Sequence, residues 1–203
     1  PGLVFPLQSR ASFYVLIEAG SGSMQVPLDS ILTDIMEWGM DEGIVTDGTL
    51  AMSETQRAAF WRLREEQPEG QRQLGAQVKH DISVPPSSIV EFLKIADEKC
   101  YEIMRGLRIN AFGHLGDGNI HYNLSPPSGE KDFSGKENEF SDKVARLACD
   151  MNGSFAAEHA LGRSKVAQAD MLRHPVERQL MTQLKRSIDN KNQLNPGVLV
   201  SLK

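Results

Sequence analysis

FGHLGDGNIHYN, residues 112–123, sets two histidines, His114 and His121, around a loop carrying Gly113, Gly116 and Gly118. Beyond the loop, Ile120, Tyr122 and Leu124 alternate with His121 and Asn123. A period of two is the signature of a strand, with His121 and Asn123 on one face. Asp117-Gly118 supplies turn chemistry just before it. Residues 108–112 also read as strand, so the simplest fold is a β-hairpin that brings the two imidazoles together. Two neutral imidazoles need only a carboxylate to complete a site for a divalent metal.

A carboxylate of that kind stands in GSFAAEHALGRSK, residues 153–165, where Glu158 and His159 are adjacent after a short apolar run. Three of the five histidines therefore fall in two short motifs rich in Gly or Ala. The plainer alternative is that these are loop histidines that never meet.

Around these motifs the pattern is mixed. Residues 13–19 read as a buried strand. Pro27 opens a helix whose Leu28, Ile31, Leu32, Ile35 and Met36 follow the helical period. Residues 44–52 are strand-like, with an Asp47-Gly48 turn signal. Ser53 with Gln56 forms a capping-box pattern for a helix to about Glu66, broken by Glu69-Gly70. Residues 75–84 read as a strand ended by Pro85-Pro86. Ser88 with Glu91 caps a helix whose apolar face is Ile89, Phe92, Leu93, Ala96, Cys100 and Ile103. After the hairpin, residues 126–135 form a Pro/Gly/Ser-rich loop. A helix from about Glu137 carries Phe140, Val144, Leu147 and Met151, and Asn152-Gly153 ends it. A helical tail follows, with Pro175 in its first turn and Val176, Leu180, Leu184 and Ile188 on one side. Strands and helices in this order predict an α+β fold: helices on one face of a mostly antiparallel sheet.

A chain of 203 residues can bury a proper core. Its 40% apolar and 24% charged composition is that of a globular protein. The net charge of −5 argues against nucleic acid as a partner. The two cysteines, Cys100 and Cys149, fall in helical patterns and lack C-x-x-C spacing, which suits free thiols in a reducing compartment.

GHLGDGNIHYN, AEHALGRSK and LNPG (residues 194–197) resemble, in order, three signatures of the FAD-linked oxidase C-terminal family. Its members include D-lactate dehydrogenases, D-2-hydroxyglutarate dehydrogenases and the flavin subunit of glycolate oxidase. WRLRE (residues 61–65) and KHDISVP (residues 79–85) resemble further family segments in the expected order. Two departures stand out: Ala160 occupies a position that is glycine in the family pattern, and Asn190 follows Asp189 where proline is usual. An alanine does not readily take a left-handed backbone conformation.

The resemblance implies a ferredoxin-like substrate (cap) domain over residues 1–160. It implies a C-terminal helical segment over residues 161–203 that packs on a flavin-binding domain of which this chain shows no trace, so the chain reads as a fragment of a longer protein. The implied reaction is oxidation of a 2-hydroxy acid to the 2-oxo acid with hydride transfer to FAD. The candidate substrates are D-2-hydroxyglutarate, D-lactate, D-malate and glycolate. His114, His121 and Glu158 would bind a divalent metal, zinc being the expected ion, and His159 would act as general base and touch substrate. Arg64, Lys79 and Asn123 would hold substrate carboxylate, and Asn195 would touch the flavin. The expected setting is bacterial cytoplasm or, in a eukaryote, the mitochondrial matrix. The electron acceptor and the assembly, a homodimer among the options, stay open.

The residues taken alone admit other readings. Arg64 shares a charged helix with Arg57 and Arg62 and could be solvated surface. Asn123 could point at water, and LNPG could be only a turn. A non-catalytic ferredoxin-like ligand- or metal-binding module is the main rival class. A zinc hydrolase would be expected to show H-E-x-x-H spacing, which is missing, and the G-x-x-G-x-G order runs into a strand, unlike a phosphate-binding loop.

Overall fold

The computed structural model describes residues 2–201. Internal contacts divide the chain into two units, Pro1–Gly70 and Gln71–Lys203.

In the first unit, helix α1 spans Leu28–Asp41 and helix α2 spans Glu54–Glu65. Ser53 caps α2, its hydroxyl accepting the Gln56 amide at 3.2 Å. The Gln56 side chain returns to the Met52 amide at 2.6 Å, one residue earlier than a reciprocal capping box requires. The expected strand at residues 13–19 is not formed: the segment has no ladder partner and stays exposed. Its apolar run supplies β propensity, but a strand needs a neighbour to take its hydrogen bonds. Residues 44–52 are likewise no strand. The amides of Ile44 and Val45 both turn back to the Gly39 carbonyl, at 2.9 and 2.8 Å, and wrap the chain around the end of α1.

Helix α3, Gln67–Arg72, begins where α2 stops and runs through Glu69-Gly70, so that dipeptide breaks nothing. Pro68 explains the boundary. A proline fits the first turn of a helix but would clash inside a continued α2. The chain turns instead at Gly75, whose φ is +93°.

The second unit is built on an antiparallel sheet of three strands, β1 (Val78–Ser83), β2 (Arg108–His114) and β3 (Asn119–Ser125), in the order β1-β3-β2. The hairpin expected from the glycine loop is β2-β3, and its register pairs Phe112 with His121. On the other side β3 pairs Asp81 with His121 and Lys79 with Asn123. Helices α4 (Ile89–Ile103) and α5 (Glu137–Asp150) lie together over one sheet face. The alternating residues Val78, Ile82, Ile120, Tyr122 and Leu124 meet Phe92, Ala96 and Cys100 of α4 and Phe140, Val144 and Ala148 of α5. Each large side chain buried there contributes about 2–3 kcal/mol of transfer free energy. This is the α+β arrangement anticipated, with helices on one face.

Ser88 does not cap α4. The chain enters through a 3-10 turn at Pro86–Ser88, which leaves Ser88 near-helical and its side chain without a cap bond. After α5 the chain turns at Asn152 (φ +60°), and helices α6 (Val166–Leu172) and α7 (Pro175–Ile188) follow. α6 is a short element that the periodicity does not announce. α7 is capped by the His174 ring, which accepts the Val176 amide at 3.3 Å. Both cysteines are free.

Gly153 fixes how residues 153–159 lie against β1. Ser83 and Ser154 exchange both backbone hydrogen bonds at 2.8 Å. A Cβ on Gly153 would sit 1.9 Å from the Ser83 carbonyl oxygen, so only glycine allows this approach. The same segment ends at Ala160, whose φ is +55°, the left-handed region that alanine resists. Gly153→Ala should lower stability by more than about 2 kcal/mol, through displacement of this edge. Ala160→Gly should raise it by about 0.5–1 kcal/mol. Chemical denaturation of the two variants against the parent chain checks both signs.

A second stability prediction concerns His80, on the core face of β1. Its Nδ1 donates to the Tyr122 carbonyl at 2.6 Å, and its Nε2 is buried with no hydrogen-bond partner. Burial pushes the imidazole down from 6.5 to about 4, against the opposing effect of the Tyr122 bond. Between those values the unfolded chain binds a proton that the folded chain refuses. Stability is therefore full above the unfolded value and falls with pH through this window, by up to about 3 kcal/mol. Urea unfolding at about pH 7 and about pH 4.5 should show this loss, and His80→Phe should reduce it.

Candidate active site

The sheet face away from α4 and α5 carries the polar half of the strand alternation. Lys79 and Asp81 of β1, Asn119, His121 and Asn123 of β3, and Asn110, Phe112 and His114 of β2 share it, as the cross-strand register requires. Asp81, His121 and Phe112 form one rung; Lys79, Asn123 and Asn110 form the next. Phe112 packs on the His121 ring, centroid to centroid 5.0 Å.

Glu158 and His159 reach this face from residues 153–159. The Ser83–Ser154 pairing starts the segment along β1, and the Ala157 amide bonds the Asp81 carbonyl at 3.2 Å. The next two amides, of Glu158 and His159, both donate to Asp81 Oδ2 at 2.8 Å. Lys165 holds the segment from behind, donating from Nζ to the Phe155 carbonyl at 3.0 Å. Burial pushes the Lys165 ammonium down, and Asp81 partly offsets it.

The Glu158 carboxylate thereby lies between the two hairpin imidazoles. One oxygen is 3.6 Å from His114 Nδ1, and the other is 3.8 Å from His121 Nε2. Donor atoms of a tetrahedral zinc site, with bonds near 2 Å, stand about 3.3 Å apart. The two Glu158 separations are slightly wider than that, and the group whose donor atoms all lie within 4.8 Å of one another is Asp81, His121 and Glu158, a donor set whose chemistry suits a divalent cation. His121 is largely buried, whereas the side chains of His114 and Glu158 are about half exposed, at 53% and 43%. The His159 ring stacks near His121, 5.9 Å between centroids, and is 70% exposed. Its Nδ1 lies 3.8 Å from Asp81 Oδ2, which leaves Nε2 facing away from that carboxylate.

Asp81 is a site residue that the histidine motifs alone do not pick out. It is buried, and its oxygens also take the Asn119 carboxamide at 2.9 Å. Burial would raise its carboxyl, but the His159 amide, the Asn119 side chain and the Glu158 amide outweigh that and hold it below the usual range. Its signal in the sequence is the alternation Lys79-x-Asp81, which places both charges on the face opposite Ile82.

Of the other expected residues, Lys79 is exposed on the site face and Asn123 is buried there. The Asn123 carboxamide does not point at water; it donates to Gln71 Oε1 at 2.7 Å. Gln71, itself buried, is a second polar neighbour that the motifs do not announce. Arg64 belongs to α2 of the first unit. Asn195 stands in a turn after α7, with φ +50° and its carbonyl accepting the Val198 amide at 3.2 Å. Asp189 organises that turn by accepting the amides of Gln193 and Leu194 at 2.8 Å. The Lys185 hydrogen bond and these amides pull the Asp189 carboxyl down against burial.

Among the described residues no helix is long and apolar enough to cross a membrane. A family model described as FAD linked oxidases, C-terminal domain, matches residues 3–199. The mitochondrial D-2-hydroxyglutarate dehydrogenase of Arabidopsis thaliana is 31% identical over 96% of this chain and 34% of its own length. The mitochondrial enzyme of that name from Bos taurus is 34% identical over 96% of this chain and 35% of its own. The D-2-hydroxyglutarate dehydrogenase of Stutzerimonas stutzeri is 33% identical over 95% of this chain and 41% of its own. The chain thus spans between 34% and 41% of the length of these curated relatives. By the match of the family model along nearly all its length, the chain belongs to the FAD-linked oxidase C-terminal domain family.

Proposed function

We propose that this chain is the substrate- and metal-binding part of a flavin-dependent D-2-hydroxy acid dehydrogenase. D-2-Hydroxyglutarate is the first candidate substrate; D-lactate, D-malate and glycolate follow. The observation that carries the reading is the Glu158 carboxylate standing between His114 and His121. The names of the relatives support D-2-hydroxyglutarate as the first candidate.

His114, His121 and Glu158 would hold the divalent cation, with zinc favoured by two nitrogen donors and one oxygen donor. When bound, such a cation would supply Lewis acidity toward the substrate hydroxyl and FAD would supply the hydride acceptor, chemistry that no side chain of this chain supplies. His159 takes the hydroxyl proton on Nε2, the ring nitrogen turned away from Asp81. An imidazole can accept that proton, and the exposed position of His159 leaves room for substrate. Lys79 and Asn123 lie one rung along the sheet and hold the substrate carboxylate; Arg64, with its planar two-donor fork, holds carboxylate as well. Asn195 would contact the flavin.

Residues 161–203 would pack on the flavin-binding domain of the longer protein. The support is α7, where Val176, Leu180, Leu184 and Ile188 follow the helical period, and each is more than half exposed. The compartment would be the mitochondrial matrix or bacterial cytoplasm, in line with the names of the relatives.

Metal binding can be measured on the 203-residue chain itself. Stripped of metal and titrated with zinc, it should bind one ion, and His121→Ala or Glu158→Gln should weaken binding more than about 100-fold. A folded parent chain that takes up no zinc would sink the reading. In the full-length flavoprotein, His159→Ala should slow anaerobic flavin reduction by about 10²–10⁴-fold with KM little changed. An unaltered reduction rate would remove His159 from the base role.

A further inference from the structure

We infer that Gln71 is a positioning residue for the proposed substrate site: its carboxamide holds that of Asn123 in one orientation on the sheet face, so that the substrate carboxylate meets a preset donor beside Lys79. The inference rests on the reading of Asn123 and Lys79 as residues that hold substrate. Gln71 is the buried residue of α3, 2% exposed in a helix of six residues. An apolar side chain is the ordinary occupant of such a position. Gln71 Oε1 instead accepts a hydrogen bond from Asn123 Nδ2 at 2.7 Å, between residues 52 apart in the chain.

Stability does not account for a glutamine here. Gln71 Nε2 is buried with no hydrogen-bond partner. A buried donor left unpaired costs more than one hydrogen bond between neutral groups contributes. A methionine of similar length would fill the space without an orphaned donor. What the glutamine adds is direction. A carboxamide turns freely about its Cβ–Cγ bond unless something holds it. The nitrogen of Asn123 carries two N–H groups. With one committed to Gln71, the plane of the carboxamide is set and the second N–H is left for substrate. Lys79, the cross-strand neighbour of Asn123, is exposed on a flexible stem, so it supplies charge and little direction. Asn123 and Lys79 lie one rung from His121 and Asp81. Gln71 therefore acts on the carboxylate end of the site and not on its cation end.

The test is a double-mutant cycle in the full-length flavoprotein, read as KM and kcat with D-2-hydroxyglutarate, or with D-lactate should the parent enzyme not oxidise it. Gln71→Met should raise KM about tenfold with kcat within about twofold of the parent, because the binding it weakens is the same in ground and transition states. Asn123→Ala should raise KM at least as far, and adding Gln71→Met to it should raise KM no further. In the 203-residue chain, Gln71→Met should keep the parental zinc affinity and a urea midpoint no lower than the parent's. Parental KM in Gln71→Met beside a raised KM in Asn123→Ala would overturn the inference and leave Asn123 in its role. Parental KM in Asn123→Ala would remove Asn123 from substrate binding, and Gln71 with it. A Gln71→Met chain that fails to fold, or that loses both urea midpoint and zinc affinity, would make the bond a structural one and overturn the inference.

Discussion

Two consecutive amides, of Glu158 and His159, end on one oxygen of a carboxylate that lies 77 and 78 residues earlier in the chain. That contact ties the loop after α5 to β1 and gives the site its acid and its outer imidazole. Hydrogen bonds to a charged acceptor contribute about 1.5–3 kcal/mol each. A pair of them on a buried oxygen is strong enough to hold a segment that has no regular secondary structure of its own. The Ser83–Ser154 pairing and the Gly153 close approach set the register; Asp81 sets the end point. Without that end point, Glu158 would be a surface acid on a loop.

The sheet makes this economical by keeping its two faces chemically separate. In β1, Val78, His80 and Ile82 go to the helices, while Lys79 and Asp81 go to the site. In β3, Ile120, Tyr122 and Leu124 go to the helices, while His121 and Asn123 go to the site. A slip of one residue would exchange the two sets entirely. Tyr122 resists the slip, because its ring is fully buried against Phe92 and its hydroxyl donates to Asp97 at 2.7 Å. Burial drives the Tyr122 hydroxyl far above its ordinary value, so it stays a donor. His80 is the exception on the core face, a polar ring satisfied on one nitrogen only.

What the sequence made legible follows from the range over which each signal acts. The hairpin could be read because alternation and a Gly-rich turn are local and agree with one another. The buried faces of α4 and α5 could be read because the helical period is local too, whereas of the apolar stripe expected on α1, Ile31 and Ile35 stay exposed. The strand expected at residues 13–19 failed because a ladder partner is not a local property. Ser88 failed as a cap because the preceding prolines impose a turn that a two-residue pattern ignores. The convergence of His114, His121 and Glu158 was suggested by motif resemblance, and its geometry depends on Asp81. No spacing rule links Asp81 to Glu158, since the contact uses backbone amides, which any residue type supplies. Gln71 was hidden for a similar reason: its pairing with Asn123 spans 52 residues and joins two side chains that are common on surfaces.

Ala160 shows how tightly the path after Asp81 is set. The residue takes a left-handed conformation, at φ +55°, that costs an alanine about 1–2 kcal/mol. The conformation persists because both sides of it are fixed. Upstream, the Glu158 and His159 amides are committed to Asp81. Downstream, Leu161 packs into a small cluster with Ala145, Phe155 and Ala169. A chain pinned at both ends must turn within one residue, and a backbone that could relax would have to release either the carboxylate or the cluster. The strain at Ala160 is thus borne by the interactions that aim Glu158 and His159, which connects a backbone dihedral to the placement of the two side chains on which the proposed chemistry turns.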